Sequence, residues 1–282
     1  GVRRDTQPLS VRLAVCNKTL NDRPVEAFFA LAGDAGFDAV EVIPGSLGTP
    51  IADPDPAMRV QILQVARAMG LEFVAMNSIF EHVPTFNLVT DDSDLRQRSA
   101  EELVAIVHLG AHMGVTSIVI GSPRQRRAPA NASFDEATDL FIDGLIPAAT
   151  VAQEFGITLC LEPLIPSLTN FMNDTTEGIT VARRMNHPAV KLVLDVKQIA
   201  RETQNFKSAV EIALPWLAHV HVNDANMQAP GEGDTDFLPI IKSLKEVGYG
   251  GVISIEAFTF ADDPKLVLTR SRRHLESILD AS

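Results

Sequence analysis

AVKLVLDV, at residues 189–196, is apolar on both faces, rich in branched side chains, and has an acidic residue, Asp195, near its end. Such a segment is typical of a strand that is covered on both sides, as in a parallel sheet. Three further segments follow the same pattern, each with a possible metal ligand near its end: GITLCLEP with Glu162, LAHVHVND with His221 and GVISIEAF with Glu256. Three carboxylates and an imidazole that converge on one point would bind a divalent cation.

The chain alternates strand-like and helix-like segments eight times. Strands are predicted at 11–16, 37–43, 71–78, 116–122, 157–162, 190–196, 218–223 and 252–258. Helices are predicted at 24–36, 56–70, 93–114, 133–156, 175–187, 205–214, 236–248 and 263–280. Eight such units without a long linker predict an α/β fold of the (β/α)8 TIM-barrel type, with residues 1–282 as a single domain. The four candidate ligands then lie at the C-terminal ends of strands, where such barrels carry their active sites.

Local signals support this organisation. Ser93 is a candidate N-cap of the third helix, and Ser133 with Glu136 forms a capping-box pattern at the start of the fourth. A doubly wound open sheet is the alternative fold, but it normally carries a glycine-rich phosphate-binding turn after its first strand. The sequence VRLAVCNKTLND at 11–22 has no such turn, so the closed barrel is favoured.

Composition limits the partners. The chain of 282 residues has 36 acidic against 24 basic residues, a net charge of −12, which argues against nucleic acid and anionic membranes as partners. No apolar run reaches the roughly 18 residues of a transmembrane helix. Cys16 and Cys160 lie in apolar runs and are predicted to be buried thiols. The start, GVRRDTQPLS, is not a signal peptide, so a cytoplasmic location is expected, with a leader removed before Gly1 as the open alternative.

Several short motifs resemble the xylose-isomerase-like superfamily of sugar isomerases and epimerases. They are Leu161-Glu162-Pro163-Leu164, Leu194-Asp195-Val196, His219-Val220-His221, Pro230-Gly-Glu-Gly233 and Ser254-Ile255-Glu256. Within the superfamily, the ligand spacing is similar to that of the ketose 3-epimerases. The resemblance implies that Glu162, Asp195, His221 and Glu256 bind one metal ion, that the two glutamates are also the catalytic acid and base, and that His221 rather than His219 is the ligand. It also implies a homodimer or homotetramer.

The residue types suit proton abstraction next to a carbonyl group. A divalent cation stabilises the resulting enediolate, and a glutamate takes the proton while a second group returns it. An oxygen-rich site with one imidazole favours Mn²⁺, Mg²⁺ or Co²⁺, with Zn²⁺ as an alternative. A lyase or dehydratase acting on a keto-sugar or keto-inositol and a non-catalytic sugar-binding barrel remain open. A base-excision endonuclease is disfavoured, since it needs more histidine and acidic ligands and a basic DNA-binding face.

Three positions depart from the ketose 3-epimerase pattern. Gln198 stands where the family has a histidine, Met227 where it has an arginine, and Leu168 where it has a glutamate. Those family residues hold the hydroxyl groups and the carbonyl of the ketose. The departures therefore favour a different sugar or a keto-acid as the small-molecule substrate.

Further candidates for substrate binding lie after the strands. They are Glu41, Asn77, His82, Arg126, Lys197 and Gln198. Lys197 lies two positions past Asp195, so strand alternation directs it to the same mouth, where it either carries charge for an oxyanion or is an ordinary loop lysine. Glu41 orders either a substrate hydroxyl or a neighbouring side chain, or forms a structural salt bridge. Arg126 belongs to a basic loop that either clamps a phosphate or carboxylate or is solvated.

Three residues are expected to support the ligands without binding substrate. His219 points the same way as His221 but two residues deeper, as a core or supporting residue. Asn223 and Asp224 follow His221 directly and are expected to hold either that histidine or the loop through 230–233.

Overall fold

Eight parallel strands close into a barrel in the computed structural model, which describes residues 11–20, 22–52, 55–201 and 205–282. The strands are β1 Arg12–Cys16, β2 Ala39–Val42, β3 Glu72–Met76, β4 Ser117–Ile120, β5 Thr158–Leu161, β6 Val190–Asp195, β7 Leu217–Val222 and β8 Val252–Ile255. Each strand pairs with the next along the chain, and β1 pairs with β8, with Val15 beside Ile255. The predicted (β/α)8 barrel is confirmed, and closure excludes the open sheet.

The helices surround the barrel. They are α1 Val25–Asp34, α2 Pro56–Ala68, α3 Ser93–Met113, α4 Phe134–Phe155, α5 Thr175–Met185, α6 Val196–Ile199, α7 Phe206–Ala213, α8 Leu238–Glu246 and α9 Pro264–Ala281. Two 3₁₀ turns, Pro44–Leu47 and Arg124–Arg126, follow strands β2 and β4. Among the described residues, no helix is both long and apolar enough to cross a membrane. The expectation that the start of the chain is not a signal peptide concerns residues 1–10, which lie outside the described part of the chain.

Side chains of alternate strand residues separate the core into layers. The main apolar cluster packs the helices against the outward-facing strand residues, such as Val40, Leu161 and Val220. Two smaller clusters are formed by strand residues on the opposite, inward face. One contains Ala14 and Ala39, and the other contains Cys160 and Val193. Since side chains alternate along a strand, residues two positions beyond Cys160 and Val193 share their inward face. Those residues are Glu162 and Asp195, so the candidate ligands extend the interior of the barrel at its C-terminal end.

Helix starts follow the expected capping chemistry with one correction. The capping box of α4 is present, because Ser133 accepts a hydrogen bond from the Glu136 backbone while the Glu136 carboxylate accepts from the Ser133 backbone. The N-cap of α3 is Asp92 and not Ser93, since the Asp92 carboxylate accepts from the Leu95 N–H at 3.0 Å. An aspartate caps a helix as well as a serine does, and its position one residue earlier fits the first turn.

The two cysteines are free and buried, as predicted. Burial raises the pKa of Cys160 to about 12 and that of Cys16 well above its ordinary value. Both therefore stay as neutral thiols and act as small apolar side chains in the core.

Candidate metal centre

Three carboxylates and one imidazole meet at the C-terminal end of the barrel. Each of Glu162, Asp195, His221 and Glu256 offers a ligand atom, and these atoms all lie within 4.8 Å of one another. None of the four residues is more than 5% exposed. Nδ1 of His221 lies 3.4 Å from Oε1 of Glu162 and 3.4 Å from Oε2 of Glu256. Two ligands of one ion at metal–ligand distances of about 2.1 Å are separated by about 3 to 3.5 Å, so the arrangement fits a single divalent cation.

Gly121, just past β4, makes room for the first of these carboxylates. A Cβ atom at position 121 would overlap Oε2 of Glu162 and lie 2.9 Å from its Cδ. Any other residue at this position would push the Glu162 carboxylate out of the cluster. The small residue is therefore part of the site, although it contributes no ligand atom.

Glu41 lies beneath the cluster and fixes its imidazole. The fully buried carboxylate accepts hydrogen bonds from Nε2 of His221 at 2.9 Å and from Nε2 of His219 at 2.7 Å. This bond leaves Nδ1 of His221 as the nitrogen that faces the other ligands, as a carboxylate partner does in many metal sites. The prediction of Glu41 as a substrate-binding residue is corrected: it points into the barrel interior and does not line the cavity. Two of the alternatives for Glu41 are met together: it orders the neighbouring imidazoles, and it lies within ion-pair distance of His221 and His219.

Replacing Glu41 with glutamine should weaken the metal affinity about 10- to 100-fold, the effect of losing an outer partner of a ligating histidine. A glutamine oxygen can accept from one imidazole, but its NH₂ group would then oppose the N–H of the other. Metal titration of Glu41→Gln beside Glu246→Gln, whose carboxylate is 44% exposed on α8, measures the effect. Equal affinities in both variants would show that the buried carboxylate does not orient His221.

Asp195 is held from two directions. Its Oδ1 accepts from the backbone N–H groups of Lys197 at 2.8 Å and Gln198 at 3.1 Å, which makes it the N-cap of the short helix α6. Its Oδ2 accepts from the amide of Asn223 at 3.3 Å. The strand predicted to run through 196 therefore ends at Asp195, because the aspartate side chain starts a helical turn there.

The two residues after β7 have different roles. Asn223 holds Asp195 and the Lys197 backbone, so the expectation that it holds His221 or the 230–233 loop is corrected. Oδ1 of Asp224 accepts from the Thr235 backbone at 3.2 Å and from its hydroxyl at 2.8 Å. Asp224 therefore holds the loop that includes 230–233, which is one of the two alternatives that the sequence left open for it. His219 is fully buried and bonded to Glu41, in a supporting position.

The acidic groups of the cluster differ in their pKa values. Burial raises the pKa of Glu162 to about 7 and also raises the pKa of Asp195. Burial acts in the same direction on Glu256, but the charge and hydrogen bond of His221 outweigh it, so the pKa of Glu256 lies below its usual value. For His221, burial lowers the pKa, but the charges of Glu41 and Glu256 raise it by more. The pKa of His221 therefore lies well above its ordinary range. Without a cation, Glu162 and His221 therefore tend to keep their protons, and a divalent cation would replace these protons when it binds.

Metal affinity should therefore depend on pH. Glu162 keeps its proton up to about pH 7, and this proton must leave before the carboxylate can bind a cation. Affinity should increase by more than about tenfold per pH unit below that value, where protons on both Glu162 and His221 must leave, and should keep rising above it until His221 has also lost its proton. Calorimetric titrations with Mn²⁺ from acidic to neutral pH would show this rise and the release of at least one proton. An affinity that stays constant across this range would contradict the shifted pKa.

A cavity of about 430 Å³ opens above the cluster. Its lining includes Asn77, Lys197 and Gln198, three of the predicted substrate-binding residues, together with Glu162, Asp195 and Glu256. The amide of Asn77 donates to Oε1 of Glu256 at 2.6 Å and so holds that carboxylate in place. Lys197 reaches the cavity from the first turn of α6 and not from a continued strand, so the reason given by strand alternation was wrong.

Two other predicted residues do not reach the cavity. His82 bonds through Nε2 to the Glu102 carboxylate at 2.7 Å on α3, which draws it away from the mouth. Arg126 is 1% exposed and does not line the cavity, and burial lowers its pKa to about 10. The 3₁₀ turn after β4 presents its neighbour Arg124 to the cavity instead. A tertiary contact therefore corrects the prediction for His82, and burial corrects the one for Arg126, whose guanidinium nitrogens are buried without a hydrogen-bond partner among the described residues.

Sequence reasoning missed several residues of the cavity wall. Among them are Lys18, Ser78 and Phe258. Lys18 follows β1 and Ser78 follows β3 by two positions, so the rule that places sites after barrel strands could have found them. Lys18 donates to Ser78 at 2.8 Å and pairs with Glu81 at 2.9 Å. Leu168 and Met227, two departures from the ketose 3-epimerase pattern, also line the cavity.

Several known proteins of similar sequence or fold are sugar epimerases by name, and one solved structure of similar fold, from Brucella melitensis, is named an AP endonuclease of family 2 (TM-score 0.76, 19% identity, 94% of this chain and 99% of that chain). A family model described as xylose isomerase-like TIM barrel matches residues 29–278. The D-psicose 3-epimerase of Ruminiclostridium cellulolyticum is 28% identical over 117 residues, 42% of this chain and 40% of that protein's length. The L-ribulose 3-epimerase of Methylomonas sp. is 25% identical over 244 residues, 83% of this chain and 79% of that protein.

One solved structure extends the likeness in fold. The 3-keto-D-glucoside 4-epimerase of E. coli superposes with a TM-score of 0.82 at 19% identity, covering 95% of this chain and 100% of that chain. At this identity, the likeness is one of fold.

Proposed function

This chain belongs to the xylose isomerase-like TIM-barrel family, and from that premise we propose that it is a divalent-metal-dependent isomerase or epimerase. Its substrate is a sugar, a sugar derivative or a keto-acid that fits the cavity above the four-ligand cluster. The observation that carries the proposal is the approach of two glutamates, from β5 and β8, to one imidazole nitrogen at the cavity floor, each at 3.4 Å. A location in the cytoplasm and a homodimeric or homotetrameric assembly belong to the same proposal.

The donor set suits one hard or borderline divalent cation. Glu162, Asp195, His221 and Glu256 would hold it, with three oxygens and one nitrogen, which favours Mn²⁺, Mg²⁺ or Co²⁺ and accommodates Zn²⁺. Three buried carboxylates around one point also concentrate negative charge that a cation would balance. When bound, such a cation stabilises negative charge developing on the carbonyl and neighbouring hydroxyl oxygens of a substrate.

The protein side chains move the proton. One glutamate takes the proton from the carbon next to the carbonyl, and the other returns a proton, so that the substrate passes through an enediolate. Return to the opposite face of the same carbon gives an epimer, and return to the neighbouring carbon gives an isomer. Asn77 holds Glu256 by its hydrogen bond at 2.6 Å, and Glu41 holds His221, so the geometry is set before substrate binds.

Deuterium uptake tests the proposed function. The protein is loaded with Mn²⁺ and incubated in D₂O with ketoses, keto-acids, inososes and their phosphate esters, and the recovered compounds are analysed by NMR. Metal-dependent deuterium at a carbon next to the carbonyl of one compound is the expected result. A new unsaturated carbonyl absorbance with loss of water would instead indicate a dehydratase. Tight sugar binding without exchange would indicate a binding barrel, and either result would overturn the proposal.

A further inference from the structure

Lys197 places a buried ammonium group beside the candidate metal ligands. The residue is 5% exposed and lines the cavity, and its Nζ lies 3.7 Å from the centroid of the Phe258 ring. Among the hydrogen bonds and ion pairs of the described residues, none involves Nζ of Lys197, although the charges of Asp195 and Glu256 act on the lysine. An ammonium group has three donors and is costly to bury without a counter-charge, and the aromatic ring meets only one side of it.

Hydrogen bonds hold the Lys197 backbone beside the metal ligands. The Lys197 N–H donates to Oδ1 of Asp195 and also approaches Oδ1 of Asn223 at 3.2 Å. The lysine thus belongs to the same helical turn that Asp195 caps, and its side chain enters the cavity beside the metal cluster, with Nζ against the Phe258 ring. The carboxylates of Asp195 and Glu256 balance part of this charge, but an anionic group of a ligand in the cavity would supply the acceptors that the N–H groups of Nζ lack.

Gln198 adds a second donor next to the first. Its Oε1 accepts from the Ile165 backbone at 3.2 Å, so its NH₂ group is the end left for a ligand in the cavity that it lines. One ammonium and one amide on adjacent residues match the two oxygens and single charge of a carboxylate. Of the other cations that line the cavity, Lys18 is already paired with Glu81, and Arg124 lies in the 3₁₀ turn after β4, away from α6 in the chain. A phosphate dianion bound by Lys197 and Gln198 alone would leave part of its charge and at least one oxygen without such partners.

We propose that the substrate is a keto-sugar acid, whose carboxylate binds the Lys197 ammonium and the Gln198 amide while the ketone end faces Glu162 and Glu256. This inference rests on the proposed function and names the substrate class for the same site. It also explains why Gln198 and Leu168 replace polar residues that the resemblance assigns to ketose binding. The donors for hydroxyl groups are reduced, and a site for an anion is added.

The test compares matched compounds. Ketotetroses, ketopentoses and ketohexoses are offered as the neutral sugar, as the acid with a terminal carboxylate, and as the terminal phosphate ester. The ratio of kcat/KM values for metal-dependent deuterium uptake is measured for each set. Wild-type protein should prefer the acid over the neutral sugar by roughly 10- to 100-fold, the factor expected for a charged hydrogen bond.

Variants link this preference to Lys197. Lys197→Gln should reduce the ratio of acid to neutral sugar about 10- to 100-fold, and Lys197→Arg should restore part of it. Lys242→Gln, which removes the same charge from the exposed surface of α8, should leave the ratio unchanged. If Lys197→Gln does not fold, the wild-type preference still decides the question.

The outcomes separate the two proposals. Exchange in neutral ketoses or phosphate esters at rates equal to or above those of the acids would overturn the keto-acid inference while the proposed function stands. An acid preference that survives in folded Lys197→Gln would also overturn it. A metal-loaded protein that exchanges none of the compounds would overturn the proposed function itself.

Discussion

Replacing Glu256 with glutamine is expected to slow proton exchange roughly 100- to 10,000-fold, the usual contribution of a general acid or base. The glutamine keeps the size of the side chain and an oxygen for the cation, but its amide does not take up a proton at neutral pH. Asn77, which donates to Oε1 of Glu256 at 2.6 Å, can still bond to the amide oxygen. The variant should therefore fold and hold metal, although more weakly, and should fail at the proton-transfer step.

Single-turnover exchange in D₂O, at saturating metal and substrate, measures this loss. Glu162→Gln should show a loss of the same order, because the second glutamate returns the proton. Glu246→Gln serves as the matched control, since it makes the same change on the outer surface of α8. Wild-type exchange rates in both active-site variants would rule out the two-carboxylate mechanism.

Replacing Asp195 with asparagine should lower the affinity for the divalent cation by at least about 100-fold, more than the loss of an outer partner of a ligand. The change removes one charge from the donor set. In the wild-type protein, the amide NH₂ of Asn223 donates to Oδ2 of Asp195 at 3.3 Å. In the variant, an amide NH₂ would face this donor instead of an acceptor. The oxygen that caps α6 can still accept from Lys197 and Gln198, so the helical turn should remain.

Metal content after dialysis, with circular dichroism as a check on folding, provides the measurement. Asp234→Asn is the control, because Asp234 lies exposed in the loop after β7. A folded Asp195→Asn protein with wild-type affinity would remove Asp195 from the ligand set. A protein that loses its fold together with its metal would instead assign Asp195 mainly to capping α6.

The barrel was predictable because its signal is repeated. Eight apolar segments alternate with eight helical ones, and the structure places every strand within its predicted range or one residue beyond it, as for Leu217 of β7. The meeting of the four candidate ligands followed from topology, since parallel strands in a closed barrel bring their C-terminal ends together. Their order along the chain was enough to predict that they meet, without any knowledge of the loops.

The surroundings of the ligands were less predictable. They depend on how deep each side chain lies in the barrel and on contacts between segments that are distant in the chain. Glu41 looks like a residue at the mouth in the sequence, yet its carboxylate turns inward to two imidazoles from β7. His82 is drawn away by Glu102, a residue on the following helix. The choice between Arg124 and Arg126 depends on one 3₁₀ turn, which composition does not reveal.

The buried ammonium of Lys197 shows how a correct placement can follow from an incomplete reason. Strand alternation predicted that it faces the mouth, and it does line the cavity. It arrives there because Asp195 ends β6 and caps a helical turn, so one residue shapes both the candidate metal site and the neighbouring cation. Sequence spacing alone does not distinguish a strand that continues from a strand that a side chain ends.

The most direct measurement is a titration of metal-stripped protein with Mn²⁺ while deuterium uptake into the substrate is followed. Exchange should be absent in the stripped protein, rise in proportion to added metal, and reach its maximum at one equivalent per chain. A protein that binds no metal, or one whose exchange rate is the same with and without bound metal, would contradict the role given to Glu162, Asp195, His221 and Glu256.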